Sequence, residues 1–71
     1  MDILIFKTNV STKRKVNKVG ALLAAVKSIN QWNLDLDDCD KVLRVVATGL
    51  SPGFIESLLK NAGYNCQELD F

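Results

Sequence analysis

The order in which the apolar residues change their spacing most constrains the fold of this chain. Residues 2–8 are apolar on both parities, which is typical of a strand with neighbours on both sides. Over residues 12–29 the apolar side chains recur every three or four positions and predict an amphipathic helix capped by Ser11 or Thr12. Gly20 lies inside this helix and indicates either a close approach of another backbone or a tolerated imperfection.

The second half repeats the change from strand spacing to helix spacing. Trp32, Leu34 and Leu36 alternate with polar residues, which predicts a half-buried strand at a sheet edge. An acidic turn at residues 37–40 leads into the apolar run 42–47, so the two strands should form a hairpin.

A second helix begins and ends at clear signals. Ser51 and Pro52 suit the N-cap and the first helical position, and Gly63 suits a left-handed C-cap with Tyr64 in contact with Leu59. Residues 64–69 supply a last strand.

The resulting order, βαββαβ, predicts one α+β domain over residues 1–71. With right-handed crossovers it becomes a ferredoxin-like sandwich, a four-stranded antiparallel sheet with two helices on one face. The loop after strand 1, the hairpin and the turn after helix 2 then lie at the same end. The basic residues at the start of helix 1, the acidic turn, Cys39 and Tyr64 should lie together there.

Composition excludes several classes of function. The formal net charge is +1, which gives no argument for nucleic acid, and the third strand lacks the exposed aromatics that RNA binding through the sheet requires. The longest apolar stretch, residues 19–26, is too short for membrane insertion. The first residues lack the features of a secretory signal, so we expect a cytoplasmic protein. The chain has no histidine and no evident nucleophile–base pair, so we expect no enzyme activity.

A basic cluster occupies the start of helix 1, where lysine and arginine oppose the positive end of the helix dipole. Its members are Lys13, Arg14, Lys15 and Lys18. Three interpretations stay open: a solvated face, a surface for an acidic protein partner, or a small anion held by helix amides together with Lys13 or Lys15.

Residues 10–16, Val-Ser-Thr-Lys-Arg-Lys-Val, resemble the Met-Thr-Cys-x-x-Cys-Val motif of the heavy-metal-associated (HMA) domain family. That family includes copper chaperones and the N-terminal modules of metal-pumping ATPases. Ala62-Gly63-Tyr64 is similar to the family's Ala-Gly-Tyr or Ala-Gly-Phe, whose aromatic residue lies near the metal loop. The resemblance implies the same fold, and it adds Tyr64 to the candidate interaction residues.

The motif differs from the family at its two metal ligands. Thr12 and Lys15 stand where the family has cysteines, and a register shifted by one residue would place Asn9 and Thr12 there instead. Neither register supplies the thiolates that Cu(I) requires, so we expect no metal cofactor. Cys39 and Cys66 are weak alternative ligands, because a third ligand is missing.

The hypothesis from the sequence is an HMA-like domain without a functional metal site that binds a protein through its charged loop end. The alternatives are a metal carrier with atypical ligands and a regulatory domain for a small anionic ligand.

Overall fold

A computed structural model describes residues 2–69 and has the predicted order of elements. The strands and helices are β1 (Asp2–Thr8), α1 (Lys13–Ala24), β2 (Ile29–Leu34), β3 (Leu43–Ala47), α2 (Pro52–Asn61) and β4 (Cys66–Glu68). The four strands form one antiparallel sheet in the order β2-β3-β1-β4. The predicted ferredoxin-like fold is therefore confirmed, with β1 central and β2 at an edge.

The core lies between the sheet and the two helices. Phe6 pairs with Leu43 across the central strands, and both side chains are fully buried on the face that the helices cover. The opposite parity of β1 faces outward, and Ile3 is 64% exposed there. Because the helices cover only one face of the sheet, burial does not explain why both parities of β1 are apolar. Both parities instead reflect the central position of β1, which has a neighbouring strand on each side.

Helix α1 is shorter than predicted. It ends at Ala24, where the sequence pattern extended the helix to residue 29. Val26 instead lies in a turn, and its N–H donates to the Leu23 carbonyl oxygen at 3.0 Å. No glycine or proline marks this end, and Val26 continues the apolar spacing through the turn, so no local signal marks the boundary. Neither described helix is long and apolar enough to cross a membrane.

Strand β2 begins and ends earlier than the alternation predicted. The hairpin with β3 is confirmed, but pairing starts at Ile29 and stops at Leu34. Leu36 lies in the connecting loop, where its carbonyl oxygen accepts a hydrogen bond from Lys41 Nζ at 2.7 Å. The alternation of exposed and partly buried side chains continues past the strand, because Leu36, Asp38 and Asp40 in the loop are also partly buried. At the other strand boundaries, β3 begins one residue later than predicted and β4 occupies only three residues.

Gly20 is explained by an aromatic side chain. A Cβ atom at Gly20 would lie 2.7 Å from Cζ2 of Trp32, which is closer than real Cβ contacts come. The close approach that was one of the two interpretations from the sequence is therefore made by the indole ring of Trp32 in β2 and not by another backbone. Glycine lowers the helix propensity at this position, but it leaves the space that the side chain of Trp32 occupies against α1.

Helix α2 has the predicted ends. Gly63 adopts a φ of 93°, its N–H donates to Lys60, and the N–H of Tyr64 donates to Leu59 at 3.0 Å. These two bonds form the Schellman motif expected from the sequence. At the other end Ser51 occupies the N-cap position before Pro52, but its side chain makes no capping hydrogen bond.

Candidate functional site

Three loops meet at one end of the sheet, as the topology predicted. We call this surface the loop end and define it as residues 9–12, 35–42 and 62–65. The N–H of Thr8 donates to the Asp40 carbonyl oxygen at 3.1 Å, and the N–H of Asn65 donates to Asn9 Oδ1 at 2.9 Å. The first bond joins the end of β1 to the β2–β3 loop, residues 35–42, which contains the acidic turn and which we call the acidic loop. The second bond joins the β1–α1 loop to the turn after α2.

Thr8 fixes the start of the β1–α1 loop from inside the protein. Its side chain is buried, its hydroxyl donates to the Lys41 carbonyl oxygen at 2.6 Å, and it accepts from the N–H of Val10 at 3.2 Å. Val10 is fully buried and anchors the next part of the loop. From the sequence, Asn9 was a candidate only as a ligand position in the shifted register, and Thr8 was not a candidate at all. The available signal for Thr8 was a hydroxyl residue on the inward parity of an otherwise apolar strand.

Thr12 and Lys15 lie at the start of helix α1. Thr12 is the N-cap, and its Oγ1 accepts from the N–H of Lys15 at 3.2 Å. This bond satisfies one of the free amides of the helix start, so the Thr12 hydroxyl has a structural role. The pair offers one hydroxyl and one ammonium group, and neither is a comparable donor for a soft metal ion.

The basic cluster lies exposed on the first two turns of α1. Its side chains are Lys13, Arg14, Lys15 and Lys18. Arg14 and Lys18 are four positions apart, so they share one face of the helix. No acidic residue occupies the first turn of α1, and within residues 2–69 the only ion pair joins Lys7 Nζ to Asp40 Oδ1 at 3.6 Å. The cluster therefore lacks an internal counter-ion in the described chain.

The acidic loop brings three potential ligand atoms together. One ligand atom each of Asp38, Cys39 and Asp40 lie within 4.8 Å of one another. The carboxylates already shape the loop, because Asp38 Oδ1 accepts from the N–H of Asp40 at 2.8 Å and Asp40 pairs with Lys7. Lys41 completes the turn with a φ of 46°.

The two cysteines occupy different environments. Cys39 is exposed on the acidic loop, whereas Cys66 is 3% exposed and belongs to the core at the start of β4. Burial, with a smaller contribution from the Glu56 carboxylate, raises the pKa of the Cys66 thiol to about 12, and the Lys60 ammonium opposes this rise. The Cys66 thiol is therefore protonated at neutral pH, and its interior position explains why it is not part of the acidic cluster.

Tyr64 lies at the loop end, where the resemblance placed it. Its side chain is half-buried and packs against the core, and its backbone closes helix α2. Tyr64 thereby joins the turn after α2 to the hydrophobic interior.

The chain is similar to known proteins in structure and not in sequence. No protein-family model and no curated protein sequence matches the chain. The yeast copper transporter domain Ccc2a, solved in apo and Cu(I)-loaded states, has a TM-score of 0.83 at 16% identity, covering 96% of this chain and 94% of that one. The N-terminal domain of ZntA in its Zn(II) form has a TM-score of 0.79 at 21% identity, covering 93% and 89%.

A third similar structure is the Atx1-Cu(I)-Ccc2a complex from yeast, with a TM-score of 0.82 at 16% identity, covering 96% of this chain and 94% of that one. These neighbours span nearly the whole length of both chains in each comparison. The chain therefore has the ferredoxin-like fold of the HMA domains.

Proposed function

We propose that this small HMA-like domain is a protein-interaction module that lacks a functional metal site and acts through the loop end together with the adjoining basic cluster on α1. The observation that carries the proposal is the exposed basic cluster, which has no ion-pair partner within residues 2–69. Its partner would present an acidic surface. Because the potential of such a cluster reaches about a Debye length, ~8 Å at physiological salt, it would chiefly accelerate encounter with that surface.

The loop end is fixed by hydrogen bonds, which supports a role in recognition. Thr8 and Asn9 tie the β1–α1 loop to its two neighbours, and Thr12 caps the helix that carries the cluster. A surface that is already ordered loses little conformational entropy on binding. One chain of the Atx1-Cu(I)-Ccc2a complex has the fold of the present chain, and its presence in a complex of two proteins supports an interaction role here.

We infer that a functional metal site is absent because the two cysteines of the family's motif are absent. Thr12 and Lys15 occupy the positions that resemble the family's cysteines, and Cys66 is buried and protonated. The alternatives are a carrier with atypical ligands such as Cys39 and a regulatory site for a small anion. Capping by Thr12 already satisfies part of the amide surface that an anion would use.

The proposed role requires no catalysis. We also propose that the protein is cytoplasmic. Cys39 and Cys66 are both free thiols, which suits a reducing compartment.

The test reverses one charge of the cluster. Arg14→Glu should keep or raise thermal stability, because each basic side chain beside the N-terminus of α1 costs about 0.3 to 1 kcal/mol. The same change should lower the amount of partner retained from native lysate at low salt. High salt should lower retention by the parent and reduce the difference between the two proteins.

Arg44→Glu is the matched control. It makes the same change of charge on the outer face of the sheet, away from α1, and should retain the partner as the parent does. Equal retention by the parent and Arg14→Glu at both salt concentrations would show that the cluster is only a solvated face.

A further inference from the structure

Strand β2 forms one open edge of the sheet. The opposite edge strand, β4, is partly blocked, because the N–H of Glu68 donates to Glu56 Oε2 of helix α2 at 2.9 Å. No such side-chain bond reaches the backbone of Trp32 or Leu34 in the described part of the chain. The two edges of this sheet therefore differ in their capacity to accept another strand.

The register shows which groups of β2 point outward. Asp35 donates its N–H to the Val42 carbonyl oxygen at 2.9 Å, and Asn33 lies opposite Arg44 two positions earlier. Bonded and non-bonded pairs alternate in an antiparallel ladder, so Asn33 bonds to β3. The backbone N–H and C=O groups of Trp32 and Leu34 consequently point away from β3, towards the open edge.

The sequence of β2 provides little protection against strand addition. Ile-Asn-Gln-Trp-Asn-Leu contains no charged residue and no proline, the residues that usually block exposed edges. A register shift between Ile29 and Gln31 interrupts the ladder near Asn30. The regular part of the edge is therefore residues 31–34, with Trp32 and Leu34 as its outward bonding positions.

We propose that a second copy of this chain pairs with β2 in antiparallel orientation, with a two-fold axis through Asn33. Trp32 of each copy then lies opposite Leu34 of the other. Both pairs exchange two backbone hydrogen bonds, so the contact contains four. This register uses only the regular part of the strand and avoids the interruption at Asn30. It joins two four-stranded sheets into one continuous sheet.

Charge at the two ends of β2 favours a second copy as the occupant. Lys27 precedes the strand, and Asp35 and Asp37 follow it, all of them exposed. Antiparallel pairing places the basic start of each strand beside the acidic end of the other, so opposite charges meet twice in a two-fold dimer. Parallel pairing would place like charges together. The self-complementary charge pattern therefore selects both the partner and the orientation.

The test uses the position on the axis. Asn33→Lys and Asn33→Glu each place two like charges directly opposite each other, whereas an equimolar mixture allows lysine to face glutamate. Each such cross-strand pair contributes about 0.2 to 1 kcal/mol, so the mixed dimer should exceed either homodimer in affinity by roughly 2- to 30-fold. Sedimentation equilibrium of the parent should show the mass rising with concentration from 7.9 kDa towards twice that value.

Gln67→Glu is the control, because it adds charge to the same face of the sheet on the opposite edge strand. It should dimerise like the parent. Amide hydrogen exchange adds a local measurement: the Trp32 and Leu34 amides should exchange more slowly as concentration rises, while the Asn33 amide should not change. Thermal melts at low concentration establish that each variant is folded.

Two results would overturn the proposal. One is a parent that stays at 7.9 kDa throughout the concentration range. The other is a parent that dimerises while both Asn33 variants dimerise equally well alone and mixed, since the contact would then lie on another surface.

Discussion

Thr8 shows how one polar side chain determines the shape of the loop end. It lies on the inward face of β1, beside the buried Cys66 in the β1–β4 ladder, and it bonds to two different segments. A buried polar group costs free energy unless it is hydrogen-bonded, and here the hydroxyl both donates and accepts. This residue links the hydrophobic core to the candidate interaction surface.

At this scale we predict that Thr8→Val destabilises the domain by about 1 to 3 kcal/mol. The substitution keeps the shape of the side chain but leaves the Lys41 carbonyl and the Val10 N–H without their partner. Urea denaturation provides the free energy of unfolding. Thr48→Val is the control, because the hydrogen bond that Thr48 accepts from Asn30 is exposed, and it should change stability by less than about 0.5 kcal/mol. Equal effects of the two substitutions would contradict the structural role of Thr8.

At the scale of elements, the β1–α1 loop and the first turn of α1 form one unit. Val10 anchors the loop in the core, Thr12 caps the helix, and the basic cluster follows at once. The N-cap and the third helical residue come together here, because Thr12 Oγ1 and the Lys15 backbone N are 3.2 Å apart. The two positions that resemble the family's cysteines therefore lie beside each other at a helix N-terminus, which also favours thiolates.

We therefore predict that Thr12→Cys combined with Lys15→Cys creates a metal site. Its affinity for Cu(I), measured by competition with a chromophoric chelator, should exceed that of the parent, whose two thiols do not provide such a pair. The shifted pair, Asn9→Cys with Thr12→Cys, is the control and should bind less tightly, because Asn9 is turned towards Asn65.

Two outcomes of the chelator competition would count against these assignments. No gain in affinity for Thr12→Cys with Lys15→Cys would show that the loop geometry differs from the HMA domains. Tight binding by the parent that disappears in Cys39→Ser would instead favour the carrier with atypical ligands.

At the scale of the whole molecule, the sheet and the two helices enclose one core, and stability depends on what is buried there. Cys66 is the one cysteine in that core, and burial raises the pKa of its thiol from 9.0 to about 12. In the unfolded chain the thiol would ionise near its ordinary pKa. Between these two values the unfolded state binds fewer protons than the folded state, so rising pH favours unfolding.

We predict that the free energy of unfolding falls between about pH 9 and pH 12, with Cys66 contributing at most about 1.4 kcal/mol per pH unit. Chemical denaturation of the parent and Cys66→Ala at a series of pH values measures this contribution. The substitution should reduce the slope in this range and leave the pH dependence below pH 9 unchanged. Parallel curves for the two proteins above pH 9 would show that the folded domain does not protect the thiol.

The sequence by itself determined the order of elements, the fold class and the end of α2, because these depend on local patterns. Strand and helix spacing differ clearly, and Gly63 marks a left-handed cap that the Schellman bonds then confirm. It also placed the basic cluster at the start of α1. The loops met at one end because the topology of βαββαβ requires it.

Only the tertiary structure decided where α1 and β2 meet and what holds the loop end together. The end of α1 and the start of β2 have no local signal in the sequence. What the structure adds is the packing between them, in which the indole ring of Trp32 lies against Gly20. The bonds of Thr8 to Lys41 and of Asn9 to Asn65 join residues far apart in the chain. Such contacts depend on how the strands pair, and a pattern read along one segment carries no information about its distant partner.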